Sequence, residues 1–158
     1  MNPRIQRVAA NSQGRDFVIG DLHGCLDQLQ DKLNSASFAP ERGDRLFAVG
    51  DLVDRGPDSL GCLKLLREPW FFSVLGNHDQ MLLDALADPG MGRSQSFLFH
   101  SLNGGEWAAS MILQQDSLLL ELTRLMAELP HVLVVGEGRQ RFNIVHAQLL
   151  AEIGRAHV

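Results

Sequence analysis

The chain has 158 residues, 45% of them hydrophobic and 21% charged, a balance that fits one soluble domain and excludes a disordered chain. Its formal net charge of −5 offers no basic surface for a nucleic-acid backbone, and no apolar run approaches the roughly 18 residues of a membrane span. Two cysteines, Cys25 and Cys62, are too few for a disulfide framework, and residues 1–15 lack the apolar core of a signal peptide, so the expected compartment is the cytoplasm.

In chain order, residues 1–15 read as a polar, loosely held lead-in. A β-rich run over residues 16–19 ends in Gly20-Asp21-Leu22-His23-Gly24, and apolar positions then recur at Leu22, Leu26, Leu29 and Leu33, the spacing of an amphipathic helix. Pro40 and Gly43 mark a loop, residues 45–49 form a second predicted strand, and that strand ends in Gly50-Asp51. Leu60, Leu63, Leu65 and Leu66 predict a helix that stops before Pro69. A third strand over 71–75 ends in Gly76-Asn77-His78-Asp79, and a helix follows through Met81, Leu82, Leu83 and Leu86. Residues 90–99 read as a loop, 105–111 and 117–128 as helical, and Pro130 closes that region. The apolar runs 131–135 and 142–145, across Gly136-Glu137-Gly138, resemble a hairpin. Strand–helix alternation with short loops predicts a layered α/β fold with parallel pairing.

Three predicted strands thus end in a glycine followed by metal-capable side chains, and a fourth cluster, Val145-His146-Ala147, ends the last apolar run in the same way. Parallel strands bring such clusters to one edge, where open α/β sheets form their sites. Aspartate, histidine and an asparagine carbonyl suit a divalent ion such as manganese, iron or zinc. One carboxylate can bridge two ions roughly 3.5–4 Å apart, a spacing that clamps a phosphoryl group. The glycines before Asp21, Asp51 and Asn77 fit tight turns where a larger residue would crowd the ions. Taken singly, Asp-x-His reads as a capped loop and Asp-Arg-Gly as a solvated turn; their joint occurrence at successive strand ends carries the metal reading.

Gly-Asp-Leu-His-Gly, Gly-Asp-Leu-Val-Asp-Arg-Gly and Gly-Asn-His-Asp together resemble the three signatures of the phosphoprotein phosphatase family of calcineurin-like metallophosphoesterases, most closely the lambda-phage-type bacterial serine/threonine phosphatases. Pro69-Trp70-Phe71, Gln80-Met81, Leu102-Asn103-Gly104-Gly105-Glu106-Trp107 and Glu128-Leu129-Pro130 add to the likeness, which covers about residues 16–150. The resemblance implies a metallo-dependent phosphatase fold, with a βαβαβ core in an α/β/β/α sandwich. By it, Asp21 and His23 would bind a first metal, Asp51 would bridge both, and Asn77 and His146 would bind the second. His78 would be the general acid, oriented by Asp54, and Arg55 would hold phosphate oxygens. The implied cofactors are two divalent ions, manganese first. A hydroxide bridging them would attack phosphorus directly, so no phosphoenzyme is expected. The implied substrates are phosphoserine and phosphothreonine in proteins, or small phosphate esters, with no nucleic-acid or membrane partner. A symmetrical dinucleoside polyphosphate hydrolase shares the signatures, though such relatives tend to depart at Val-Asp-Arg-Gly, which is intact here. His100 and His131 read as packing residues, Cys25 as an ordinary helix-start cysteine, and Gly104-Gly105 either as a turn or as backbone approaching the site.

Family members continue past the His-Ala motif and supply a second phosphate-binding arginine and another histidine ligand. Here only Arg155 and His157 follow His146, and neither sits in a matching motif. Glu152 to Val158 can be encoded by GAG ATC GGA AGA GCA CAC GTC, which from its second base onward matches a common sequencing adapter. The expected organisation is therefore a lead-in over 1–15, a C-terminally truncated phosphoesterase domain over 16–151, and a non-native tail over 152–158. An inactive metal-binding fragment is the third reading.

Overall fold

The computed structural model describes residues 4–147. The Glu152–Val158 tail, with Arg155 and His157, lies outside the described residues. Two three-stranded sheets face each other, with helices over the outer face of the first. The first sheet is β2 (Asp16–Ile19), β3 (Arg45–Ala48) and β4 (Phe71–Ser73), all parallel and joined through α1 (Leu26–Ser35) and α2 (Ser59–Lys64). This is the expected βαβαβ core. Parallel pairing places the three strand ends on one edge, where the sequence clusters lie.

Alternation along β3 sorts its side chains between two layers. Leu46 and Ala48 join the core under the helices, which also takes Leu29 of α1, Leu63 of α2 and Leu82 of α3 (Asn77–Ala87). Phe97 of α4 (Gln95–His100), Ile112 of α5 (Ala109–Leu113), and Leu119, Leu122 and Met126 of α6 (Ser117–Ala127) complete that core. Phe47 points the other way and stacks on Phe72, with ring centroids 4.9 Å apart. There it meets Leu133, Val135 and Ile144 of the second sheet. Val18, the register partner of Phe47, is 55% exposed on that face.

The second sheet has the order β1 (Ile5–Val8), β5 (Val132–Val135) and β6 (Phe142–Val145). β5 and β6 form the expected antiparallel hairpin. The lead-in expectation is corrected, because Ile5–Val8 pairs in parallel with Val132–Val135 along its whole length. Arg4 seals the start of this pairing: its N–H donates to His131 Nδ1 at 3.1 Å, and its carbonyl accepts from the His131 N–H at 2.8 Å. A polar strand is tolerated there because β1 lies at a sheet edge and three of its four side chains face solvent. A second correction concerns residues 90–99: α4 begins at Gln95, capped by Ser94, whose hydroxyl accepts from the Phe97 N–H at 3.0 Å. The helix after β4 also starts earlier than its apolar pattern, at Asn77 itself.

Candidate active site

Each signature cluster occupies a turn at the carboxyl edge of the first sheet, and the turns are hydrogen-bonded to one another. The Leu22 and His23 N–H groups both donate to the Asp51 carbonyl, at 3.0 and 2.8 Å, and the Gly24 N–H donates to the Leu52 carbonyl at 3.0 Å. Asp79, in the first turn of α3, accepts from the Leu52 N–H and the Gly76 N–H, each at 2.9 Å. Burial pushes its carboxyl up to about 6 despite those two bonds. One buried carboxylate therefore fixes the second turn to the third.

Two glycines allow the turns to approach. A Cβ on Gly76 would sit 2.2 Å from the Asp51 nitrogen and Oδ1, and a Cβ on Gly50, at φ +96°, would meet the Gly76 backbone at 2.7 Å. Gly20 is different: among the described residues nothing lies within 4 Å of its Cβ position. Left-handed backbone is concentrated at the candidate site residues. Among the described residues seven non-glycine residues have positive φ, and four of them are His23, Asp51, Asp54 and Arg55.

Asp51 is buried at the centre, and an N–H in the first turn of α3 faces it: His78 N–H donates to Asp51 Oδ1 at 2.9 Å. His23 Nε2 lies 3.7 Å from Asp51 Oδ2 and 4.0 Å from Asp21 Oδ2. On the other side His146 Nε2 lies 3.5 Å from Asp51 Oδ1, and His146 Nδ1 lies 3.9 Å from Asp21 Oδ1. Asp51 thus belongs to two groups of potential metal donors, His23–Asp51–His78 and Asp21–Asp51–His146. These groups differ from the implied ligand sets in placing His78 beside the first and Asp21 beside the second.

The donor chemistry fits a cation. His23 Nδ1–H donates to the Val53 carbonyl at 3.0 Å, which leaves the Nε2 lone pair facing the carboxylates. His146 Nδ1–H donates to the Val49 carbonyl at 2.9 Å, so its Nε2 carries the lone pair, 2.8 Å from Asn77 Oδ1. Two acceptors this close are stabilised by a proton or a cation between them, or by the Asn77 amide turned to present its NH2. Among the described residues the second sheet contributes His146 and the turns of the first sheet contribute the other donors, so the site spans both sheets.

His78 is buried and sits between a carboxylate and a guanidinium. Its Nδ1–H donates to Asp54 Oδ2 at 2.8 Å, and its Nε2 accepts from Arg55 Nη2 at 2.9 Å. Arg55 Nη1 donates to His23 Nε2 at 3.1 Å, so one guanidinium caps two imidazoles. Burial would push the Asp54 carboxyl up, but hydrogen bonds from His100, Trp107 and His78 outweigh it and hold the group below the ordinary carboxylate range. All eight sequence-predicted residues, Asp21, His23, Asp51, Asp54, Arg55, Asn77, His78 and His146, are therefore linked by short polar distances. Sequence reasoning missed His100 and Trp107, whose ring N–H groups both reach Asp54. The Gly104 carbonyl accepts from the Arg55 N–H at 3.1 Å, so this backbone does approach the site. A cleft of about 380 Å³ opens beside Asp21 and His23, bordered by Cys25, Gln28 and Lys32.

The calcineurin-like phosphoesterase family model matches residues 17–150. Serine/threonine-protein phosphatase 1 of Salmonella typhimurium strain LT2 is 43% identical over 142 residues, covering 90% of this chain and 62% of that protein. Serine/threonine-protein phosphatase 2 of Escherichia coli K12 is 35% identical over 144 residues, covering 91% of this chain and 63% of that protein. The chain thus spans somewhat under two thirds of the length of these relatives. Among solved structures, that of a candidate diadenosine tetraphosphatase superposes with a TM-score of 0.61 at 32% identity, over 84% of this chain and 50% of the other.

Proposed function

The chain belongs to the calcineurin-like phosphoesterase family, and from that membership we propose a metal-dependent phosphomonoesterase acting on phosphoserine and phosphothreonine in proteins. The observation that carries the reading is His78, held by Asp54 and Arg55 beside two donor groups that share Asp51. Asp21, His23 and Asp51 would hold one divalent ion, and Asp51, Asn77 and His146 a second, with manganese the first choice. When bound, such ions neutralise phosphoryl oxygens and make a water nucleophilic at neutral pH.

The chain's own residues supply the rest. Arg55 presents a planar fork of donors, which on substrate binding moves from the two imidazole nitrogens to two phosphate oxygens. That exchange frees His78 Nε2 to take up a proton from solvent and pass it to the departing alcohol oxygen, while Asp54 holds Nδ1–H and stabilises the imidazolium. The glycine-lined turns keep these groups rigid, so little reorganisation is needed as charge develops. A cytoplasmic location belongs to the same reading; among the described residues no helix is long and apolar enough to cross a membrane.

The test is manganese-dependent hydrolysis of a phosphoserine peptide, whose alkoxide leaving group needs the proton, with His78→Asn alongside. Metal-dependent turnover that falls at least about 100-fold in the variant is expected. Folded chain that shows no metal-dependent turnover defeats the proposal. A second reading, dinucleoside polyphosphate hydrolysis, is favoured by the structural likeness to the candidate diadenosine tetraphosphatase. Faster turnover of diadenosine tetraphosphate than of a phosphoserine peptide would select it.

A further inference from the structure

Asp54 is fully buried and accepts three side-chain N–H bonds, only one of them from the general acid. Its Oδ2 serves His78, while Oδ1 takes His100 Nε2–H at 3.0 Å and Trp107 Nε1–H at 2.9 Å. Both extra donors come from a segment that is distant in sequence and irregular in shape. His100 ends α4, the chain then makes a wide turn over Ser101–Gly105, and Trp107 follows in a short 3-10 turn. The turn is shaped around these contacts. A Cβ on Gly105 would sit 2.2 Å from the His100 ring, and Gly104, at φ +100°, lies against the Arg55 backbone.

His100 is the more telling of the two. It is 0% exposed, and its Nδ1 has no hydrogen-bond partner among the described residues. A buried polar atom without a partner destabilises the fold, so packing alone would favour an apolar side chain of similar volume. What the imidazole supplies in return is one directed N–H on Asp54. A carboxylate with one lone-pair oxygen occupied twice has a single remaining orientation for its other oxygen, and that oxygen faces His78.

We propose that His100 and Trp107 are positioning residues that lock Asp54 so that it holds the His78 ring in line with the leaving oxygen. The inference rests on His78 acting as the acid, and it predicts a dependence on the leaving group. Phosphoserine releases a poor alkoxide that needs the proton, whereas p-nitrophenolate leaves readily without it. Loss of positioning therefore costs turnover mainly on phosphoserine.

The experiment uses the full chain with manganese and three variants: His100→Leu, which removes the donor at similar volume; His100→Gln, whose amide nitrogen reaches the same place; and Trp107→Phe. His100→Leu and Trp107→Phe should each lower kcat on a phosphoserine peptide about 10- to 100-fold, with KM unchanged and p-nitrophenyl phosphate turnover changed no more than about 3-fold. His100→Gln should recover most of the loss. Equal losses on both substrates, a loss confined to KM, or failure of Gln to rescue would overturn the proposal. A readout independent of turnover is the His78 Nδ1–H proton resonance in metal-free protein. It should be slow to exchange in the parent and His100→Gln, and lost to fast exchange in His100→Leu and Trp107→Phe; an unchanged resonance in the latter two overturns positioning. If the parent hydrolyses neither substrate, the proposed function fails, and this resonance alone decides the positioning.

Discussion

Gly76 shows how little room the centre of the site leaves for change. Its missing side chain is filled by the Asp51 backbone nitrogen and carboxylate, 2.2 Å from where a Cβ would be. Gly76→Ala must push Asp51 aside, and overpacking of this kind costs about 1–3 kcal/mol. A lower urea midpoint and loss of manganese-induced stabilisation are the expected results. An unchanged midpoint would mean that the two turns are separated in solution. At this scale the sequence was informative wherever a residue announces its own chemistry, as His23, Asp51 and His78 do. It was silent on His100, which reads as an ordinary apolar-stretch histidine because its partner is 46 residues away. The one available clue was the Asn103-Gly104-Gly105 run between His100 and Trp107, since paired glycines mark backbone that can approach a neighbour closely.

At the scale of elements, two ion pairs hold the start of the first sheet. Asp16 and Arg45 are register partners on β2 and β3 and make two 2.8 Å bonds. Asp44, just before β3, takes the Arg15 guanidinium and the Arg15 and Ala39 N–H groups. The Arg15 side chain, with its backbone N–H, holds the Asp44 carboxyl well below its ordinary 3.8. The folded chain therefore binds this proton less tightly than the unfolded chain. Its contribution is complete above the ordinary value and is lost as pH falls below it. Asp44→Asn should lower Tm at pH 7 and flatten the acid limb of the stability curve below about pH 4. Equal acid sensitivity in parent and variant would rule the pair out. β1 offers a second test: removing residues 1–8 exposes the β5 edge, so Tm should fall and light scattering rise on warming. That strand was hard to read because an edge strand needs no apolar face, and Ile5-Gln6-Arg7-Val8 carries apolar residues only at its ends. The helix over Gln95–His100 was within reach, since Ser94 is an N-cap residue standing three positions before Phe97.

At the scale of the molecule, the two sheets meet through the Phe47 cluster and through the site itself, where His146 faces Asp51 and Asn77 from across the gap. A ligand held by donors from both sheets stabilises their association. Manganese at 100 times its dissociation constant should add about 2.7 kcal/mol and raise Tm, and EDTA should reverse it. Asp51→Asn should abolish the shift, while Asp44→Asn, remote from the donors, should leave it intact. No metal-dependent shift in the parent chain would show that these donors do not assemble a site. The α/β layering and parallel order were legible because βα alternation leaves few other topologies. How the two sheets share the donors was not, since it depends on how β6 packs across the first sheet.

The left-handed backbone at His23, Asp51, Asp54 and Arg55 bears on what such turns are kept for. Each of those residues sits in a conformation that glycine adopts freely and that costs other residues about 1 kcal/mol or more. At exposed Arg55 two effects oppose: Arg55→Gly relieves the left-handed backbone but removes the bonds to His23 and to buried His78, so Tm should change little while the guanidinium is lost. On the proposed reading such a change would remove the hold on phosphate with little change in stability, so the left-handed turn at Arg55 is kept for its guanidinium rather than for the fold.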